Sequence, residues 1–194
     1  MFPDSIQAFG RRLAGSVVAP LATIGVTPNT VTVAGLFLNG GVAWVVATGQ
    51  FRAGGILLIV SGAFDMLDGA LARRTNALSV FGGFLDSTLD RCSEAIVLIG
   101  LIYAETQMHH TLEVMLAAGI LTGSFLISYT RARAEGLGLE CKVGLLPRPE
   151  RIIILAAGLT FPILTPVLII LAVLSNLTAM QRIAAVWRMT RPNR

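Results

Sequence analysis

Charge is scarce in this sequence, and lysine is scarcer still. Of 194 residues only 13% are charged, about half the share of an ordinary water-soluble domain. With 54% hydrophobic residues and a mean hydropathy of +0.74, the composition is that of a membrane protein. Lys142 is the only lysine among 15 Lys and Arg residues, so the other fourteen are arginines. Arginine presents a rigid fork of donors that matches phosphate oxygens, where lysine offers a mobile point charge. The arginines sit at the edges of apolar segments rather than in one soluble patch. That excludes nucleic acid as a partner and favours anionic headgroups and phosphorylated substrates. Two cysteines, Cys92 and Cys141, lie far apart with no CxxC spacing, which excludes a disulfide framework or a cysteine-built zinc site. The first residues lack the basic start, short apolar core and small-residue site of a cleavable signal peptide. Internal repeats, low-complexity tracts and linkers are absent too, so the expectation is a single domain over residues 1–194.

What is present is a succession of apolar segments near the roughly 20 residues a membrane crossing needs. The expected helices run over Asn29–Thr48, Ala53–Arg73, Phe81–Ala104, Leu112–Arg133, Arg151–Pro162 and Pro166–Val186. Thr27 should cap the first, with Pro28 at its opening position, and Gly49 should end it. The glycines Gly35, Gly40 and Gly41 would let it pack closely on neighbours. Ahead of these, Ile6, Phe9, Leu13 and Val17 recur at helical spacing, predicting an amphipathic helix in the interface over residues 1–24. Arg11 and Arg12, Arg73 and Arg74, the group Arg131–Arg151, and Arg182–Arg194 all fall on one side of a six-crossing plan. The alternate connections hold Arg52 alone, and His109 and His110 lie in one of them, where they should be solvated. By the positive-inside rule both termini are then cytoplasmic. The fold class expected is an all-α integral membrane protein, a six-helix catalytic bundle over residues 27–190, with Trp187 as an interfacial anchor.

Acids within membrane segments are costly and by default functional. Asp65 and Asp68 are three apart on the second helix, and Asp86 and Asp90 four apart on the third, so each pair shares a helix face. The short connection Arg74–Val80 makes the two helices antiparallel neighbours, and all four carboxylates can converge. Such a cluster cannot stay charged without cations. Hard oxygen donors in that number suit two Mg²⁺ ions, or Mn²⁺, a pair that can clamp a phosphoryl group. Gly69 and Ala72 leave room for a ligand beside the acids, and Arg73 can meet its phosphate oxygens.

The stretch reads Asp65-x2-Asp68-Gly69-x2-Ala72-Arg73-x8-Gly82-x3-Asp86-x3-Asp90. It resembles the signature of the CDP-alcohol phosphatidyltransferases, with every position and spacing matched. The resemblance implies that a CDP-linked lipid such as CDP-diacylglycerol binds between the helices, an alcohol attacks the lipid-side phosphorus, and CMP leaves. It implies metal ligation by Asp65, Asp68, Asp86 and Asp90, with Asp90 also taking the proton of the attacking hydroxyl. It places the CDP portion against Asn29, Thr30, Val31, Thr32, Gly69, Arg73 and Ser79. It also implies a homodimer, and a multi-pass protein of the cell (plasma) membrane whose active site faces the cytoplasm.

Ser128–Glu135 and Pro147–Arg151, together with Gln181, Arg182 and Trp187, resemble the subgroup that makes phosphatidylinositol phosphate from inositol 1-phosphate (1D-myo-inositol 3-phosphate), whose archaeal counterpart uses an ether lipid. Pro147 stands where that subgroup carries an acid before Arg148. A phosphorylated polyol needs cations, and Arg131, Arg133, Arg148, Arg151 and Arg182 can supply a basic pocket facing the aspartates. Glycerol 3-phosphate is the closest alternative acceptor. A UbiA-like prenyltransferase would be longer with different aspartate spacing, and an ion-coupled transporter would spread its acids through the membrane depth with repeat symmetry.

Overall fold

The computed structural model describes residues 18–191, and every regular element in it is helical. Residues 18–23 are helical; the amphipathic stripe Ile6, Phe9, Leu13 and Val17 lies outside the described residues. Seven helices follow: α1 Pro28–Ala47, α2 Phe51–Phe64, α3 Met66–Arg74, α4 Val80–Gln107, α5 Thr111–Gly136, α6 Arg148–Thr160 and α7 Leu164–Met189.

Local chemistry sets several of these boundaries as expected. Thr27 caps α1 by accepting from the Thr30 amide at 3.3 Å, with Pro28 opening the helix. Gly49 follows its C-cap at φ +79°. Ser79, expected only as a ligand contact, also caps α4 through the Gly82 amide at 2.9 Å. Between α3 and α4 the chain turns on Asn76 at φ 51°, while the Ala77 amide closes back on the Ala72 carbonyl at 3.0 Å. This six-to-one closure puts an asparagine in the left-handed position that few other residues tolerate.

One expected helix is two. The segment predicted as continuous over Ala53–Arg73 is interrupted at Asp65, which ends α2 and opens α3 while its backbone stays right-handed. The Gly69 amide is taken by the carboxylate of Asp68 at 2.5 Å, the kind of local side-chain bond that competes with a helix ladder.

Four stretches are long and apolar enough to cross a membrane by length and composition: Pro28–Ala47, Phe51–Arg74, Thr111–Gly136 and Leu164–Met189. Helix α4 is longer, at 28 residues, but carries Asp86, Asp90, Arg91, Glu94 and Glu105. Helix α6 has 13 residues, a length of about 20 Å against a hydrocarbon core of roughly 30 Å. The outer surface carries Phe37, Trp44, Ile59, Met115 and Met180 exposed, an apolar exterior consistent with an integral membrane protein.

The main core gathers Val42, Val46, Leu58, Leu98, Leu101, Ile120, Leu155 and Leu168, and a smaller one joins Val18 and Val31 to Leu71. The α1–α4 and α5–α7 pairs pack most extensively, and α2 lies along α6. Gly100 makes the closest helix approach, since a β-carbon there would run into the carbonyl oxygen of Ala43. Gly40 and Gly41, expected to serve such an approach, have open space instead. Their side of α1 is not the packed one.

Gly100→Ala should therefore cost about 1–3 kcal/mol by overpacking, although alanine is the better helix former. Gly41→Ala should gain up to about 1 kcal/mol from propensity. Thermal unfolding in detergent measures both; equal melting temperatures for the two variants would refute the assigned α1–α4 contact.

Candidate active site

The helix break at Asp65 turns its carboxylate toward α1. A β-carbon on Gly35 would stand 2.8 Å from Asp65 Oδ1, so only glycine leaves this oxygen its place. Asp68, on the first turn of α3, is buried; its Oδ2 accepts from Thr32 Oγ1 of α1 at 2.8 Å. Asp86 and Asp90 come from the first three turns of α4. All four acids, with Thr32, Leu89 and Ser93, line one hollow of about 10 Å³, space for one water-sized centre.

The cation facing this hollow is Arg148, at the start of α6. Its Nη2 lies 3.2 Å from Asp65 Oδ2 and its Nη1 2.7 Å from Asp90 Oδ1, so one guanidinium bridges both acid-bearing segments. Its position follows from Arg151, one turn on. The Arg151 guanidinium is 4% exposed and meets Glu94 of α4 in two parallel bonds of 2.8 Å. It also donates to Ser124 of α5 at 2.9 Å and to the Leu146 carbonyl at 3.1 Å. A bidentate pair of this geometry locks α6 against α4 and α5.

Beside the hollow lies a cleft of about 170 Å³ lined by Asn29, Thr32, Asp68, Gly69, Ser79 and Asp86 among others. It opens between the N-terminal ends of α1 and α4, and helix N-termini present free amides to anions. Arg73 is exposed with its guanidinium over Gly69, while the side chains of Ser79 and Asn29 both lie close to Gly82. Thr30 and Val31 do not line this cleft. Thr30 hydrogen-bonds the Thr27 hydroxyl at 2.8 Å, and Val31 is buried against Val18 and Leu71.

The five candidate anion-binding arginines are not equivalent. Arg148 reaches the aspartates, whereas Arg151 is held by Glu94. Arg182 is buried too, donating to the carbonyls of Val143 at 2.9 Å and Ile127 at 2.5 Å. Arg131 pairs with Glu135 at 2.8 Å, and Arg133 is exposed on the last turn of α5. Arg131 and Arg151 nonetheless both lie within electrostatic reach of Arg182. Glu94 is the residue that sequence reasoning passed over. Its signal was its spacing, since Asp86, Asp90 and Glu94 follow each other at four-residue intervals on one helix face.

A donor set of four convergent carboxylates around a small hollow fits hard divalent cations. One guanidinium cannot balance four negative charges.

Known proteins place this geometry. The family model for CDP-alcohol phosphatidyltransferase matches residues 25–190. The archaetidylinositol phosphate synthase of Methanothermobacter thermautotrophicus is 39% identical over 184 residues, spanning 88% of this chain and 89% of that one. A phosphatidylinositol phosphate synthase of Mycobacterium tuberculosis is 34% identical over 196 residues, 95% of this chain and 90% of its own. Its crystal structure with CDP-DAG bound superposes with a TM-score of 0.86 at 34% identity, covering 91% and 94% of the two chains. Another, in complex with manganese and citrate, gives 0.85 over 90% and 88%.

Two substitutions test the geometry. Gly35→Ala should displace the Asp65 carboxylate and weaken Mn²⁺ binding by about tenfold or more while leaving the melting temperature near wild type; unchanged Mn²⁺ affinity in a titration would sink the assignment. Arg151→Ala strands a buried Glu94 and should cost about 3–5 kcal/mol in denaturant unfolding, with Glu94→Leu plus Arg151→Met costing much less. Equal losses in the single and double variants would show that the pair is not what holds α6.

Proposed function

The chain belongs to the CDP-alcohol phosphatidyltransferase family, and from that premise we propose that it moves the phosphatidyl group of a CDP-lipid to inositol 1-phosphate. It is a phosphotransferase of phospholipid biosynthesis, a multi-pass membrane enzyme that uses a CDP-lipid, an alcohol acceptor and divalent metal. The finer reading is that the donor is CDP-diacylglycerol or an ether-lipid analogue, and the products are phosphatidylinositol phosphate and CMP. What carries it is the convergence of four aspartates on one hollow, flanked by the cleft at α1 and α4 on one side and Arg148 on another.

In this reading Asp65, Asp68, Asp86 and Asp90 hold two Mg²⁺ or Mn²⁺ ions. When bound, these neutralise the diphosphate and draw charge from the phosphorus under attack. Asn29, Thr32, Gly69, Arg73 and Ser79 receive the CDP portion in the cleft. The acceptor hydroxyl oxygen forms a bond to the lipid-side phosphorus, the bridging phosphorus–oxygen bond breaks, and CMP departs. Asp90 accepts the hydroxyl proton at its carboxylate. Arg148 touches that same carboxylate, so it is placed to bring an anionic acceptor to the base. Arg133 and Arg182, which pair with no carboxylate among the described residues, add positive potential, while Arg131 and Arg151 are held by Glu135 and Glu94. Uncompensated cations beside the base favour a phosphorylated acceptor over a neutral or cationic alcohol.

The same reading makes α4 and α6 membrane-embedded with the other helices, giving six crossings. The arginine asymmetry puts both termini and the aspartates on the cytoplasmic side of the plasma membrane. Trp187, with Arg191 3.5 Å over its ring, fits an anchor at that boundary. The protomers pair as a homodimer.

Purified enzyme supplied with CDP-diacylglycerol and inositol 1-phosphate should release CMP, lose that activity to a chelator and regain it with Mg²⁺ or Mn²⁺. Asp90→Asn should lower kcat by about 10²–10⁴ with little change in KM for the CDP-lipid. CMP release with glycerol 3-phosphate alone would overturn the inositol assignment, and none with any acceptor would overturn the reaction.

A further inference from the structure

We propose that Glu105, His110 and Glu113 form a zinc site at the end of the bundle opposite the aspartates. Asp90 and Glu105 are fifteen residues apart on α4, about 22 Å along the helix axis. This site is therefore separate from the catalytic one, and it stands whether or not the proposed acceptor is right.

Its construction begins with the turn after α4. His109 sits at φ 60°, its amide bonds the Thr106 carbonyl at 3.1 Å, and the His110 amide closes on the Glu105 carbonyl at 2.9 Å. This pair of bonds is the helix-ending motif that folds the chain back over its own last turn. It carries the imidazole of His110 onto the side chain of Glu105, with Nδ1 2.7 Å from Oε2. Glu113 enters from the first turn of α5. One ligand atom from each of the three lies within 4.8 Å of the others. His110, expected to be free in solvent, is thus committed to a carboxylate.

Burial is the second observation. Glu105 is 1% exposed at the end of an apolar helix, a place where a carboxylate needs compensation. Its one side-chain hydrogen bond among the described residues is to His110, itself one of the trio. Yet Glu105 lines a cavity of about 940 Å³ that also admits His110, Glu113, Arg52 and Thr165. Arg52 shares this space without forming an ion pair to either glutamate. The buried acid thus faces an open chamber that a hydrated cation can enter.

The donor set selects the ion. One imidazole with two carboxylates suits Zn²⁺, which binds nitrogen and oxygen at about 2.0–2.2 Å and takes four ligands. Mg²⁺ prefers oxygen alone. The ion would bind Nδ1 and Glu105 Oε2 in place of the hydrogen bond between them, with the neutral imidazole carrying its proton on Nε2. Glu113 completes the set, with a water from the cavity in the fourth position. Its Oε1 already accepts from Thr165 Oγ1 of α7 at 2.7 Å, an outer contact of the kind that orients a ligating carboxylate. Zinc here would tie the α4–α5 turn to α7.

The test counts zinc on purified chains by equilibrium dialysis and elemental analysis, in excess Mg²⁺ to occupy the aspartates. Wild type and Asp90→Asn should each bind one zinc per chain in this site. His110→Asn, a change at a half-exposed side chain, should weaken zinc binding by at least about tenfold and leave CMP release without zinc as in wild type. Zinc at about a hundredfold over Kd should raise the wild-type Tm by roughly 5–10 °C and leave His110→Asn unmoved. Equal zinc binding by wild type and His110→Asn, or no zinc on the wild type in excess Mg²⁺, would overturn the proposal.

Discussion

Four carboxylates gathered at one point of an apolar helical bundle must be compensated, and most of this molecule's particular features answer that demand. Like charges a few ångströms apart repel strongly where the surroundings are dry. Groups of the protein itself take up part of the load. Thr32 and the Gly69 amide each give Asp68 a hydrogen bond, and Arg148 spans Asp65 and Asp90. Gly35, with no β-carbon, lets α1 lie close without displacing the Asp65 carboxylate. These contacts hold oxygen donors in place for metal without filling the hollow between them. A site organised before its ligand arrives spends less of the binding energy on ordering.

Arg148 can hold this position because Arg151 does something different. The two lie on adjacent turns at the same helix end, and sequence alone gives them the same character. Arg151 is buried on Glu94 and Ser124, which anchors a helix of only 13 residues to the two helices beside it. Arg148 projects from that anchored end toward the acids. A buried ion pair contributes little net stability against a well-packed apolar replacement, but it specifies one arrangement, since breaking it strands a charge. For α6, arrangement is what matters: a shift along its neighbours would take Arg148 off Asp90.

Much of this was legible in the residues. The aspartate spacing on two successive helices, the Thr27 cap and the terminating Gly49 are local signals, decided within one or two helical turns. What stayed hidden was set between elements. The break at Asp65 is invisible to hydropathy, because α2 and α3 together still read as one apolar span. The fate of each arginine depends on which acid a neighbouring helix presents, so Arg148, Arg151 and Arg182 could not be told apart in advance. Gly40 and Gly41 looked like packing glycines, yet the close approach falls at Gly100, on the partner helix. His110 looked solvated until the turn at His109 brought it back onto Glu105.

Helix α4 runs between the two polar clusters, and its middle explains why they are independent. From Glu94 to Glu105 its buried residues are Val97, Leu98, Gly100, Leu101 and Ala104, an apolar stretch of about 16 Å at 1.5 Å per residue. No buried polar side chain lies between the two glutamates on this helix, so each end must find its own counter-ion. At the aspartate end the protein supplies one guanidinium and leaves the rest of the balance to metal. At the other end it sets one imidazole against two glutamates beside an open cavity, with Arg52 in the same space forming no ion pair to either. The shortfall at the aspartates is where the proposed reaction needs its metal. A buried carboxylate with no partner among the described residues outside its own cluster, facing open space across an insulating core on the same helix, is the physical ground for expecting a cation at Glu105, His110 and Glu113.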